Sequence, residues 1–331
     1  MDRLPTARSQ QGITFTIADF HEAGAERLCL SVVLGGDGLQ RRIDEPMVNR
    51  PGLALTGFFD HFAWGRLQLF GNAETAYLRS LPDQERLSRI RSLFDHRAFC
   101  VIYTNRHRPR RDELRVAEEA GAVVLSTSLK TRELSHRSAF ILERLGAPRT
   151  SIYGTMVEVG GLGVLFEGEP GMGKSETALG LVKRGHALVA DDLTCIRKDV
   201  AGDILYGSAA DSTAGFMEIR GIGIINVAQA FGINAVRGEK RLQLVISFRR
   251  LKDVAGEVDR IGQRRLFTRI LGVNVPHMIM PVSEGRDLVN LVETAAQHEK
   301  LLLSGADPVN ELSERLRSRA MAAKNEAITK G

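Results

Sequence analysis

From Ile13 to about Arg144, short apolar runs alternate with amphipathic stretches. Leu28-Cys29-Leu30 and Ala98-Phe99-Cys100-Val101-Ile102-Tyr103 read as strands, and Leu114 to Ala120 reads as a helix. The alternation predicts an α/β domain. Gly52-Leu53-Ala54-Leu55-Thr56-Gly57-Phe58-Phe59 is apolar and glycine-bounded, and periodicity leaves it open between a strand and a helix start. The pattern stops at Leu145-Gly146-Ala147-Pro148-Arg149-Thr150, where Pro148 disfavours helix in the residue before it. A boundary here predicts an N-terminal domain over 1–145 and a C-terminal domain over 146–331. Beyond it, Gly163-Val164-Leu165-Phe166-Glu167 reads as a buried strand. Ser175 to Arg184 reads as a helix with Lys183 and Arg184 in its last turn and Gly185 as its stop. His186 to Ala190 reads as a further strand. Pro308 to Ala323 reads as a polar amphipathic helix with Asp307 as N-cap.

The 331-residue length fits two medium domains, and 43% hydrophobic with 26% charged residues fits a soluble folded chain. A formal charge of +5, from 45 basic and 40 acidic residues, is weak evidence for nucleic acid and suits phosphate ligands equally well. The one dense basic stretch, Arg106-His107-Arg108-Pro109-Arg110-Arg111, has no interleaved aromatics and is expected to be a solvated loop. Cys29, Cys100 and Cys195 are odd in number, far apart and without CxxC spacing, which indicates neither a disulfide framework nor a zinc site. A reducing cytoplasm is the expected location. Met1-Asp2-Arg3-Leu4-Pro5-Thr6 lacks an apolar signal core, and no window approaches the ~18 apolar residues of a membrane span, so no membrane association is expected.

The strongest local signal is Gly168-Glu169-Pro170-Gly171-Met172-Gly173-Lys174-Ser175, which fits G-x-x-x-x-G-K-[ST]. Glycines let backbone N–H groups curl around phosphate oxygens at a helix N-terminus, where unpaired donors already favour an anion. Lys174 would pair with the β- and γ-phosphates of ATP, and Ser175 would place its hydroxyl on Mg²⁺. A glycine-rich turn without a ligand is the plain alternative, and the strand before and helix after the loop weigh against it.

Asp191 and Asp192 close the next strand. In a parallel sheet the carboxyl ends of neighbouring strands share a crevice, which would turn both acids toward the nucleotide phosphates. They could hold a metal, accept a hydroxyl proton or simply form a turn. In the third cluster, Met217-Glu218-Ile219-Arg220-Gly221-Ile222-Gly223-Ile224-Ile225-Asn226, spacing alone favours a Glu218–Arg220 surface pair on an edge strand.

The order and spacing of these clusters, with Pro281-Val282-Ser283-Glu284-Gly285-Arg286 after them, resemble the bifunctional HPr kinase/phosphorylase family. Gly57-Phe58-Phe59-Asp60 and Leu67-Gln68-Leu69-Phe70-Gly71-Asn72-Ala73-Glu74 extend the resemblance over nearly the whole chain. It implies a cytoplasmic enzyme that uses ATP, or sometimes pyrophosphate, to phosphorylate a serine of the phosphotransferase-system protein HPr. The reverse reaction is phosphorolysis of phosphoserine to pyrophosphate. The resemblance also implies a homohexamer formed through a phosphate-loop kinase domain similar to phosphoenolpyruvate carboxykinase, and a separate N-terminal α/β domain. By position, Lys174 would contact phosphate, Ser175 and Glu218 would hold Mg²⁺, and Asp192 would accept the serine proton and return it in reverse. Arg260 matches the family's catalytic arginine, suited to charge on a transferring phosphoryl group, and Asp191 would assist at the metal. Competing readings are a nucleotide-sensing regulator without transfer activity and a small-molecule kinase or carboxykinase-like enzyme on the same fold.

Three departures bear on activity. Tyr153 stands where the family usually has histidine, and a phenol is a poor proton acceptor near neutrality. Pro170 removes one backbone donor from the loop. Ser283 and Glu284 replace an arginine and a proline, and Asp287 often an asparagine, in the loop linked to phosphorolysis. A lost cation and two added carboxylates should weaken binding of free phosphate, so reduced phosphorylase activity is expected alongside retained kinase activity.

Overall fold

The computed structural model describes residues 15–199, 202–254, 265–283, 285–306, 308 and 311–318. The chain divides between Pro148 and Arg149 into two compact units.

In the N-terminal unit the order is β1 (Phe15–Thr16), α1 (Ile17–Gly24), β2 (Leu30–Leu34), β3 (Arg42–Ile43), β4 (Val48–Asn49), α2 (Gly52–Leu55), β5 (Leu67–Phe70), α3 (Asn72–Ser80), α4 (Asp83–Asp95), β6 (Cys100–Tyr103), α5 (Arg111–Glu119), β7 (Val123–Thr127) and α6 (Thr131–Gly146). A five-stranded sheet runs β2-β7-β6-β5-β4, parallel from β4 to β7 with β2 antiparallel at its edge. Helices cover both faces, which is why β5 and β6 are buried along their whole length. Leu67, Leu69 and Ile102 pack with Phe20 of α1 and Leu142 of α6, whereas Phe70, Val101 and Tyr103 pack with Ile90 of α4 and Val116 of α5. The α/β expectation is met. The open segment Gly52–Phe59 begins as the short helix α2, with Ala54 and Leu55 buried. The basic stretch forms a loop up to Arg110, and Arg111 opens α5.

Arg86 of α4 is only 1% exposed. It is buried at tolerable cost because the carboxylates of Asp83, Asp112 and Glu113 surround its guanidinium.

The second unit contains β8 (Arg149–Tyr153), β9 (Thr155–Val159), β10 (Leu162–Gly168), α7 (Lys174–Lys183), β11 (Ala187–Ala190), β12 (Leu193–Lys198), β13 (Leu205–Ser208), β14 (Phe216–Ile219), β15 (Gly223–Asn226), α8 (Val227–Phe231), β16 (Glu239–Arg250), β17 (Leu266–Ile270), β18 (Val273–Val282) and α9 (Leu288–Leu303). Among the described residues these form a nine-stranded sheet, β11-β9-β10-β16-β13-β12-β8, with β18 also beside β16 and β17 beside β18. Among the described strand pairs of this sheet, β10–β16 and β16–β18 are parallel and the others antiparallel. Residues 311–318 are helical, and the proposed N-cap Asp307 lies outside the described residues, as does Met1-Asp2-Arg3-Leu4-Pro5-Thr6.

The sheet therefore corrects one expectation. β10 and β11 are not neighbours: β9 lies between them and is antiparallel to both. Two reversals restore direction, so β10 and β11 still run the same way and end at the same edge.

One face of this sheet packs against α7 and α9, with Val164, Phe166, Ile246 and Phe248 against Leu181 and Val292. The Phe166 and Phe248 rings stack at 5.5 Å. Close approach of β10 and β16 depends on Gly163, where a Cβ would lie 2.0 Å from the Arg241 carbonyl oxygen. Among the described residues no helix is long and apolar enough to cross a membrane.

Candidate active site

β10 delivers the chain into the loop Gly168–Ser175, and α7 begins at Lys174. Gly171 and Gly173 hold φ of +80° and +83°, a left-handed backbone that side-chain-bearing residues adopt at a cost. The loop tip, Glu169, Pro170 and Gly171, is exposed, while Met172 points into the core and anchors it. Lys174 Nζ donates to the carbonyl oxygens of Gly168 at 2.8 Å and Glu169 at 3.1 Å, so its ammonium lies over the loop. The first N–H groups of α7 have no intrahelical acceptor and face the same space, which suits a phosphate group.

Asp191 follows β11 and is 9% exposed. Its Oδ1 accepts hydrogen bonds from Ser175 Oγ at 3.0 Å and Thr155 Oγ1 at 2.8 Å, and its Oδ2 accepts from the Glu218 backbone N–H at 3.3 Å. Burial raises the pKa of this carboxyl, and the charge of Asp192 adds to that; the three donors work against it without cancelling it. One carboxylate thus ties the phosphate loop, β9 and β14 together.

Asp192 is different in every respect. It is exposed, its φ is +59°, and no side-chain hydrogen bond holds it among the described residues. Its carbonyl oxygen accepts from Gly154 N at 2.9 Å, and Leu193 pairs with Tyr153 across β12 and β8, which sets Tyr153, 73% exposed, beside the acid pair.

β14 and β15 form a separate hairpin in which Glu218 faces Ile224. Alternation buries Met217 and Ile219 and leaves Glu218 exposed. The Glu218–Arg220 surface pair that spacing alone favours, and that the resemblance sets aside in giving Glu218 to Mg²⁺, is not formed among the described residues. Instead the Arg220 guanidinium lies by the loop: a Cβ on Gly171 would sit 3.9 Å from it. Gly221, Ile222, Gly223 and Ile224 are exposed at the turn, Ile225 is half-buried, and Asn226 caps α8 by accepting from Gln229 N.

β18 ends at the same sheet edge as β10, through its parallel partner β16. The loop after it therefore starts near the phosphate loop: Pro281 is buried, Val282 is half-buried, and Ser283, Gly285 and Arg286 are exposed. Arg286 Nη1 donates to the Pro281 carbonyl oxygen at 3.2 Å. Asp287, expected to repel anions, caps α9 by accepting from Asn290 N and lies 3.7 Å from Arg184. The Arg184 cation and the N-terminus of α9 thus partly offset the charge of that carboxylate. Arg260 and Glu284 lie outside the described residues.

Neither the role of Thr155 nor the position of Arg220 over the loop is signalled by the sequence. A lone threonine after Tyr153-Gly154 has no signature, and its role exists only because β9 lies between β10 and β11.

A phosphate loop opening a helix, with acids gathered at the same sheet edge, defines a phosphate-loop kinase domain. The descriptions of known proteins agree. Residues 144–316 match the model of the HPr serine kinase C-terminal domain and residues 16–142 that of the HPr serine kinase N terminus. The chain is 41% identical over 290 residues to an HPr kinase/phosphorylase of Leptospira biflexa, covering 87% of this chain and 90% of that one. It is 40% identical to one from Treponema pallidum with the same coverage, and 38% identical to one from Bacillus cytotoxicus, covering 88% and 94%. A solved HPr(Ser) kinase/phosphatase from Coxiella burnetii aligns at 32% identity with a TM-score of 0.45, covering 50% of this chain and 97% of that one. The chain belongs to the HPr kinase/phosphorylase family.

Proposed function

We propose that this protein transfers the γ-phosphoryl group of ATP to a serine of an HPr protein and catalyses the reverse phosphorolysis weakly. The observation that carries the reading is the Asp191 carboxylate, which joins Ser175 of the phosphate loop to Glu218 of the hairpin in a chain of this family.

The backbone N–H groups of Gly171 to Ser175 would bind the β- and γ-phosphates, and Lys174 would exchange its two carbonyl partners for phosphate oxygens. Ser175 and Glu218 would supply a hydroxyl and a carboxylate to Mg²⁺, with Asp191, held to Ser175 Oγ and to the Glu218 backbone N–H, assisting beside them. When bound there, the cation would neutralise charge on the phosphates. Asp192, exposed and without a side-chain hydrogen bond among the described residues, would take the proton from the incoming serine hydroxyl and return it in the reverse direction. Arg220 over the loop adds a cation, Arg260 is assigned the phosphoryl group by family position, and Tyr153 offers a hydroxyl beside the acids rather than a base.

Binding energy from an HPr surface would place the serine in line with the γ-phosphorus, which is where most of the rate arises in phosphoryl transfer. Exposed Ile222, Ile224 and Ile233 on the kinase unit, each at least 73% exposed, support burial in a subunit interface, and the resemblance implies that the assembly is a homohexamer. A cytoplasmic location is supported by the three free cysteines. The test is incubation of the purified chain with ATP, Mg²⁺ and an HPr protein, followed by measurement of phosphoserine. Its absence under all nucleotide conditions would favour a sensor or a small-molecule kinase.

A further inference from the structure

A second concave site lies in the N-terminal unit, between edge strand β4 and helix α6. Its cavity of about 260 Å³ has an apolar floor of Val48 and Leu69. Asn49 and Arg50 form one wall, and Arg132 and His136 of α6 form the other. The latter two stand four residues apart and so share a helix face. The site lies by the carboxyl ends of parallel strands, where open α/β sheets place their ligands.

Buried polar groups fix this wall. Glu74, only 4% exposed, accepts from Arg50 Nε and Nη2, both at 3.1 Å. Three of the five guanidinium N–H donors remain without a partner among the described residues. Gln68 is fully buried and donates through Nε2 to the carbonyl oxygens of Ala63 and Arg66, which aims its Oε1 at Asn49 Nδ2, 2.8 Å away. Two buried side chains are thus committed to orienting two cavity residues, the arrangement expected of a preformed binding wall. The facing Arg132 and His136 have no hydrogen bond or ion pair among the described residues. The acid between them, Glu133, is paired at 2.6 Å with Arg137 instead. Glu74 neutralises one cation, which leaves the cavity with excess positive charge and uncommitted donors on both sides.

We propose that this cavity binds a small phosphomonoester, its tetrahedral dianion between Arg50 and Arg132–His136 and its short carbon skeleton on Val48 and Leu69. A dianion uses donors from both walls, more than one planar carboxylate can accept. The volume falls below the roughly 300–1,000 Å³ of pockets for drug-sized ligands, which argues against a nucleotide. The site is independent of the kinase reading.

Calorimetric titration of the full-length Lys174→Ala protein with glycerol 3-phosphate tests it, since that background weakens the phosphate loop. Saturable binding is expected, weakened about tenfold or more by Arg132→Gln and by His136→Gln and unchanged by Arg137→Gln, with equal melting temperatures confirming folded variants. Binding insensitive to Arg132→Gln and His136→Gln, no saturable binding, or equal binding of glycerol would overturn the proposal.

Discussion

Ser175 Oγ donates to Asp191 Oδ1 at 3.0 Å, a single hydrogen bond that links the end of the phosphate loop to the acid pair. Thr155 shares the same acceptor oxygen at 2.8 Å, so the bond sits in a network that a change at Asp191 disrupts as a whole.

The two acids are therefore separable by experiment. Asp191→Ala leaves the hydroxyls of Ser175 and Thr155 and the Glu218 N–H without their acceptor, and is expected to cost about 1–3 kcal/mol of stability as well as activity. Asp192→Asn removes only an exposed charge. Asparagine also tolerates the left-handed backbone at this position. Its melting temperature should match the wild type while phosphoryl transfer falls by ~10² or more. Equal destabilisation by both changes would contradict these roles.

A pH effect on stability is expected from His277 of β18. Burial lowers its pKa below the ordinary histidine value and the positive charge of Arg249 lowers it further, although its Nε2 lies 2.8 Å from Ser247 Oγ. Between its depressed folded pKa and the unfolded value of about 6.5 the unfolded chain binds more protons, so stability falls as pH drops through that window. The His277→Asn variant should lose less stability than wild type between pH 7.5 and pH 5 in denaturant titrations. A steeper acid loss in the variant would reverse the sign and refute the assignment.

Much of this architecture was legible in the chain. The strand, loop and helix around Gly168–Ser175 follow from local pattern, because glycine placement and the helix start are set within a few residues. The alternation that buries Met217 and Ile219 and exposes Glu218 is equally local. What was not legible depends on strand order. Nothing in the sequence says that β9 separates β10 from β11, so neither the contact of Thr155 with Asp191 nor the mixed sheet could be read from it. The reach of long side chains is equally non-local: Arg220 extends toward the loop rather than pairing with Glu218, a position set by tertiary surroundings and not by spacing.

Phosphorolysis should be the weaker activity. Ser283 is exposed in the loop after β18 and supplies no cation, while Arg286 is drawn to the Pro281 carbonyl oxygen. With serine-phosphorylated HPr and inorganic phosphate, pyrophosphate release should be slow, and Ser283→Arg should raise it about tenfold, equivalent to ~1.4 kcal/mol. Brisk release by the wild type, or no gain in the variant, would remove the basis for this expectation.

Whether the phosphate loop drives transfer to HPr is decided by incubating an HPr protein with ATP, Mg²⁺ and either wild type or Lys174→Ala, then locating any added phosphate by mass spectrometry. One phosphate on a single HPr serine is expected with wild type, and a rate lower by about 10²–10³ or more with Lys174→Ala, since the ammonium over the loop is lost. An unmodified HPr with wild type, or equal modification by both proteins, would contradict loop-driven transfer.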